Sequence, residues 1–326
     1  MKKRHLWVGG ALSAAALVLA FWRVDVGEVA AAFARANYLL VAAAAGLQLV
    51  VIAVIAWRWG LFFRSRPRLP GLLSAILIAQ LANTISPVRV GVLVRAYLLG
   101  RSEGQSKVLV LTTVVGEKVF DVLALVLLFG TVFPFVLPEE WFQWDSLSLS
   151  KIVFAALLPA LVLLTYQRRR ALRLARALVR RFPWAERFDL VQKFEAGLEG
   201  LAQLQGIRST ALLWGWTLVI PGLGIGVNYL VLRAFDIQLS PVAAVALLVA
   251  LQIGPRALPA VPLAGIGVFQ WICSEVLALF SVDGSLALSY GFMLHAVVLI
   301  PGSILGAMAL YRAHYSWRQL RAEVEE

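Results

Sequence analysis

The chain alternates long apolar runs with short interruptions that are basic or rich in Pro and Gly. Apolar windows fall at Leu6–Trp22, Tyr38–Trp57, Gly71–Ser86, Val108–Leu137, Lys151–Tyr166, Ala211–Leu232, Pro241–Leu258, Leu263–Val282 and Leu286–Tyr311. The runs are continuous and lack the period-two alternation of membrane barrel strands, so each predicts a helix. A bilayer offers no water to backbone N–H and C=O groups, and a helix pairs these groups within itself. A full crossing needs about 20 residues. Several windows are shorter than that, or are broken by Pro and Gly.

Loop charge orients the windows, because basic loops stay cytoplasmic. Lys2, Lys3 and Arg4 precede the first window, and Arg58, Arg64, Arg66 and Arg68 form a basic loop after the second. Gln167–Arg208 holds ten Lys and Arg against four acids, and Arg312, Arg318 and Arg321 lie in the tail. Pro138–Ser150 carries Glu139, Glu140 and Asp145 with no base, which suits the outside. Two stretches then have the wrong number of crossings. Gly71–Leu99 starts and ends inside and is interrupted by Asn83-Thr84-Ile85-Ser86-Pro87. Pro241–Val282 starts and ends outside and is interrupted between Gly254 and Pro262.

Each stretch fits a re-entrant helical pair, and the two pairs enter from opposite faces. The predicted fold is therefore an all-α polytopic membrane protein. It has about six full spans plus two oppositely oriented re-entrant pairs, inverted-repeat-like, with both termini cytoplasmic. Opposed broken helices point to a transport site near the midplane. The competing arrangement is ordinary spans kinked by Pro and Gly. A weak internal match supports the repeat: Pro87–Leu93 can be laid on Leu263–Phe269, bringing Gly91 onto Gly267.

Residues 1–326 read as a single transmembrane domain, with 167–209 as a cytoplasmic basic amphipathic loop within it. Trp184, Phe188, Val191, Phe194, Leu198 and Leu201 recur at helical spacing there. Such helices lie on anionic headgroups; the competing reading is capture of a substrate headgroup. Met1–Trp22 also resembles a signal peptide, with a small-residue site at Ala32-Phe33-Ala34. Since further spans follow, an uncleaved first helix is expected.

Composition agrees. Of the 326 residues 61% are hydrophobic and 15% charged, against about 45–50% and about 25% in soluble domains. The net charge of +12 would suggest nucleic acid in a soluble chain. Basic cytoplasmic loops account for it here, so no nucleic-acid partner is expected. The single cysteine, Cys273, excludes a disulfide framework or Cys/His metal cluster and reads as a small packing residue. There is no Walker A sequence, no H-x-x-x-H pair and no G-x-S-x-G elbow, so no cofactor, metal or catalytic residue is expected.

The remaining candidates are polar residues in apolar surroundings. Ionised groups at bilayer depth cost about 2.5–3.5 kcal/mol each on insertion scales, so each needs a partner or a purpose. Glu117, Lys118 and Asp121 interrupt Val108–Leu137, and Glu117 and Asp121, four apart, share a helix face. Arg89 and Arg95, flanking the first break, are their natural partners. Arginine also grips phosphate with two parallel hydrogen bonds, so this core could hold and release a lipid phosphate. The alternative is a structural ion-pair network or snorkelling at the interface. Arg256 lies in the second break, as a possible site residue or a helix-end anchor. Gln270 is a milder polar candidate. His295 reads as a hydrogen-bonding residue in preference to a proton relay. Asn83, Thr84 and Ser86 are expected to cap the first broken helix, with a substrate-facing role as the alternative for all three.

These residues together resemble the transmembrane region of lysylphosphatidylglycerol synthases, the flippase-like domain family. Asn83–Leu99 is similar to the family segment N-x-x-x-P-G-R-x-G-E-x-x-R-A-x-x-L, Glu117–Asp121 to E-R-x-x-D, and Pro262–Gln270 to P-G-G-x-G-x-x-E. Val88 stands where the family has Gly, Val92 and Gln270 where it has Glu, and Lys118 where it has Arg. Arg89, Arg95, Glu117 and Asp121 match the pattern.

The resemblance implies a multi-pass inner-membrane lipid transporter without the soluble aminoacyl-transferase domain of the bifunctional synthases. Its substrate would be an anionic phospholipid or a polyprenyl-phosphate-type lipid. Membrane lipids are the expected partners, alongside a second copy of the chain or a partner envelope-lipid synthase. The alternatives are a membrane-embedded transferase or an accessory subunit in lipid-linked envelope biosynthesis.

Overall fold

A computed structural model describes residues 24–86, 90–136, 207–257 and 265–313, with residues 15, 16 and 18. The described residues form helices joined by turns, with no strand among them. In chain order these are α1 (Val26–Arg35), α2 (Tyr38–Gly60), α3 (Leu69–Ile85), α4 (Gly91–Glu103), α5 (Lys107–Val136), α6 (Ile207–Ala234), α7 (Pro241–Ala257), α8 (Val268–Ala278) and α9 (Gly284–Arg312). Most of the first apolar window, the fifth window, the acidic loop Pro138–Ser150 and the basic loop 167–206 lie outside the described residues.

Among the described residues, three helices are long and apolar enough to cross a membrane: Tyr38–Gly60, Ala211–Ala234 and Gly284–Arg312. Helix α5 is 30 residues long, about 45 Å at 1.5 Å per residue. Unlike those three it carries Glu117, Lys118 and Asp121 midway. Pro221 lies inside α6 and Pro301 inside α9, and neither ends its helix. Helix α1 was not among the apolar windows. It begins at Asp25, whose carboxylate accepts from the Gly27 N–H at 2.6 Å, and it contains Ala32-Phe33-Ala34. The Ser285 hydroxyl donates to Glu28 at 2.7 Å and ties α1 to the start of α9.

The helices beside the two breaks are short. α3 and α7 have 17 residues each, α4 has 13 and α8 has 11. At about 1.5 Å per residue none reaches the roughly 30 Å of a bilayer core. Helix α8 covers far less than the apolar window Leu263–Val282, for backbone reasons. Gly265 and Gly267 have φ of 86° and 93°, a region that non-glycine residues rarely adopt. At the other end, Ser281 turns the chain at φ 58°. Helix α7, by contrast, continues through Gly254 and Pro255 to Ala257, so the second break begins later than the sequence suggests.

The chain divides into two compact units. One comprises Met1–Ala53, Ser74–Val94 and Ile220–Glu326; the other comprises Val54–Leu73 and Arg95–Val219. In the first, α9 packs against α1, α3 and α8, and α7 packs against α8, with glycines of α9 allowing close approach. A Cβ on Gly306 would stand 2.5 Å from the Leu77 carbonyl oxygen of α3, and one on Gly291 3.1 Å from Cys273 Cβ of α8. Small residues drive membrane helix packing in this way, since lipid is as apolar as a leucine side chain. The core of the second unit includes Trp59, Phe62, Leu72, Leu99 and Leu213, with Phe120 against both Phe62 and Trp214.

Candidate functional site

The second unit holds a charged cluster. Helix α5 projects Glu117 and Asp121 from successive turns. Their main partner is Arg58, which the sequence reading assigns to a basic loop. The structure places Arg58 in the last turn of α2, with its side chain 1% exposed. Its Nη2 donates to Glu117 Oε1 at 3.3 Å and to Asp121 Oδ1 at 2.6 Å. Its Nη1 donates to the Thr217 hydroxyl of α6 at 3.3 Å. One guanidinium therefore joins α2, α5 and α6.

Arg95, on α4, takes the other oxygen of Glu117, with Nη1 donating to Oε2 at 2.8 Å. Its guanidinium lies 5.1 Å from the Trp59 ring centre, and the Trp59 indole N–H donates to Thr113 at 3.1 Å. Lys118 Nζ donates to Asp121 Oδ2 at 2.6 Å. Exposure grades outward, from 1% at Arg58 and Glu117 to 15% at Arg95, 32% at Asp121 and 52% at Lys118. Among the described residues, three cations face two carboxylates. An isolated charge here would cost several kcal/mol in lost hydration, and mutual pairing with further hydrogen bonds is what offsets it. Arg58 Nε stays buried without a partner among the described residues.

The first unit holds a neutral polar set at the ends of the short helices. Asn83 lies near the end of α3. Its Oδ1 accepts from the Gly91 N–H at 2.8 Å, so it satisfies one of the unpaired N–H groups that begin α4. Thr84 donates to the Gln80 carbonyl at 3.0 Å, within α3. Gln80 in turn donates to the Val298 carbonyl of α9 at 3.2 Å. In the second pair, Gln270 Oε1 accepts from the Gly267 N–H at 2.8 Å, and its Nε2 lies 3.0 Å from His295 Nδ1. His295 stacks on Phe269, with ring centres 4.3 Å apart and 10° between planes. The Gly91 and Gly267 N–H groups, which the sequence lays on one another, are thus both taken by a side-chain amide. One helix of each short pair, α3 and α8, meets α9 near the middle of its 29 residues, at Val298 and His295.

Of the predicted site residues, Arg95, Glu117 and Asp121 fall in the charged cluster, and Asn83 and Gln270 in the neutral set. Arg89 lies outside the described residues. The Arg256 backbone sits in the last turn of α7, and its side chain is not among those described. Arg58 and Thr217 were missed. Counting charges by loop groups Arg58 with Arg64, Arg66 and Arg68. Its continuity with the apolar run Tyr38–Trp57, and two carboxylates needing more than one cation, were the available signals.

No curated protein matches the chain. The model for the lysylphosphatidylglycerol synthase TM region, however, matches residues 6–306, which takes in both the charged cluster and the two short-helix pairs. The chain belongs to that family.

Proposed function

We propose that the protein is a multi-pass inner-membrane lipid transporter of flippase-like type. It moves an anionic phospholipid or polyprenyl-phosphate-type lipid between leaflets, and Arg95 is its headgroup contact. Family membership ties the chain to membrane lipids. The observation that carries the reading is the state of Arg95. It is partly open at the edge of the cluster, held by one hydrogen-bonded carboxylate, while Arg58 is sealed behind it. A lipid phosphate can take the guanidinium by bidentate pairing. Arg89 and Arg256 are proposed as further contacts, with Asn83 and Gln270 shaping the short-helix ends.

The same reading takes the chain as one transmembrane domain with about six spans and two opposed re-entrant pairs. Support comes from the contacts of α3 and α8, one helix of each short pair, with the middle of α9, and from helices too short to cross. Broken helices meeting at mid-depth are where transporters hold their cargo. Labelling of Ile85→Cys tests the arrangement: no reaction with an impermeant reagent from the external medium is expected. Labelling from that side would mean an ordinary span.

Proteoliposomes of the purified protein test the transport. Fluorescent phosphatidylglycerol is expected to exchange leaflets faster than fluorescent phosphatidylcholine, and faster than in protein-free vesicles. Equal rates for all three would favour an enzymatic or accessory role.

A further inference from the structure

We infer that Arg58 is a positioning residue that keeps the Arg95–Glu117 bridge breakable, so that Arg95 can exchange a carboxylate for a lipid phosphate. The inference rests on the transport reading above and assigns a division of labour within its site. The two arginines differ in every relevant respect. Arg58 is 1% exposed and reaches three acceptors on two helices. No headgroup reaches it without unpacking α2 from α5 and α6. Arg95 is 15% exposed and shares one carboxylate oxygen.

Glu117 is what connects them. Its Oε1 belongs to Arg58 and its Oε2 to Arg95. If Arg95 were its sole partner, departure of Arg95 toward a phosphate would leave a buried, unpaired carboxylate, which is strongly unfavourable. With Arg58 in place, Glu117 keeps a cation throughout. Asp121 stays paired as well, with Arg58 on one oxygen and Lys118 on the other. With Arg58 and Lys118 set against the two carboxylates, the charge of Arg95 is the surplus one among the described residues of the cluster, available to an anion. Trp59 flanks Arg95 and restricts where it can move. Glu117 is then a competitor for Arg95, and its strength is set by Arg58.

The test measures binding of fluorescent phosphatidylglycerol to the full-length protein in phosphatidylcholine nanodiscs, with thermal unfolding followed in parallel. Glu117→Gln removes the competitor and leaves Arg58 on Asp121. It is expected to tighten lipid binding about tenfold, the scale of one charge-assisted hydrogen bond. Arg58→Met commits Glu117 to Arg95 and is expected to weaken binding by a similar factor. The double variant is expected to regain at least wild-type affinity, a rescue that a purely structural role would not give. If Arg58→Met fails to fold, Glu117→Gln decides alone. Unchanged or weaker binding in Glu117→Gln overturns the inference. Should Arg95→Ala bind lipid as wild type does, the transport reading itself fails, and the inference with it.

Discussion

The charged cluster around Glu117 and the neutral set around Gln270 solve one problem in two ways. Both put polar atoms among helices whose other neighbours are apolar. The cluster uses full charges, so its members must stay together; three cations and two carboxylates cannot be separated at low cost. The amide set uses neutral groups to close particular backbone N–H donors, at Gly91 and Gly267. Charges can exchange partners and attract an ionic ligand, whereas amides hold the ends of broken helices. On the function proposed above, ligand chemistry falls to the cluster and architecture to the amides.

The strongest way to break this comparison is Arg58→Met, which strips the shared cation from Glu117 and Asp121. A loss of about 3 kcal/mol is expected, seen as a large fall in the thermal midpoint in detergent. A fall no larger than that of an exposed substitution would mean the cluster is hydrated. Gln270→Leu comes next. It leaves the Gly267 N–H without its acceptor and His295 Nδ1 without its amide neighbour, so about 2 kcal/mol should be lost. Glutamate at the same position keeps an acceptor for Gly267 and should cost less than leucine.

Asn83→Ala should cost about 1 kcal/mol, the typical value of a helix-start acceptor. A cost equal to that of Arg58→Met would erase the distinction between charged and neutral sets. The smallest effect belongs to Lys118→Ala. Its partner Asp121 retains Arg58, and exposed pairs contribute about 0–1 kcal/mol. A change within about 0.5 kcal/mol is expected, shrinking further in high salt.

Much of this was legible in the sequence. The apolar runs mark the long helices because hydropathy over a span-length window is a strong signal. Glu117 and Asp121 stand out because ionised residues in such runs are costly. The ends of α8 were not legible. Leu263–Val282 is apolar throughout, and what shortens the helix is backbone conformation at Gly265, Gly267 and Ser281. Arg58 was hidden for another reason. Charge counting asks which side of the membrane an arginine is on, while the packing of α5 against α2 decides whether it is in water at all. Asn83 is legible as a cap of the broken helix, and that it serves the start of α4 is a relation that only the fold supplies.

The account depends most on Arg95 being the residue that meets the lipid. Leaflet exchange of fluorescent phosphatidylglycerol in proteoliposomes containing Arg95→Ala tests this, with the thermal midpoint of each preparation as the check on folding. Exchange falling to the protein-free rate, in a protein that unfolds near the wild-type midpoint, is the result the account predicts. Exchange at the wild-type rate would contradict it.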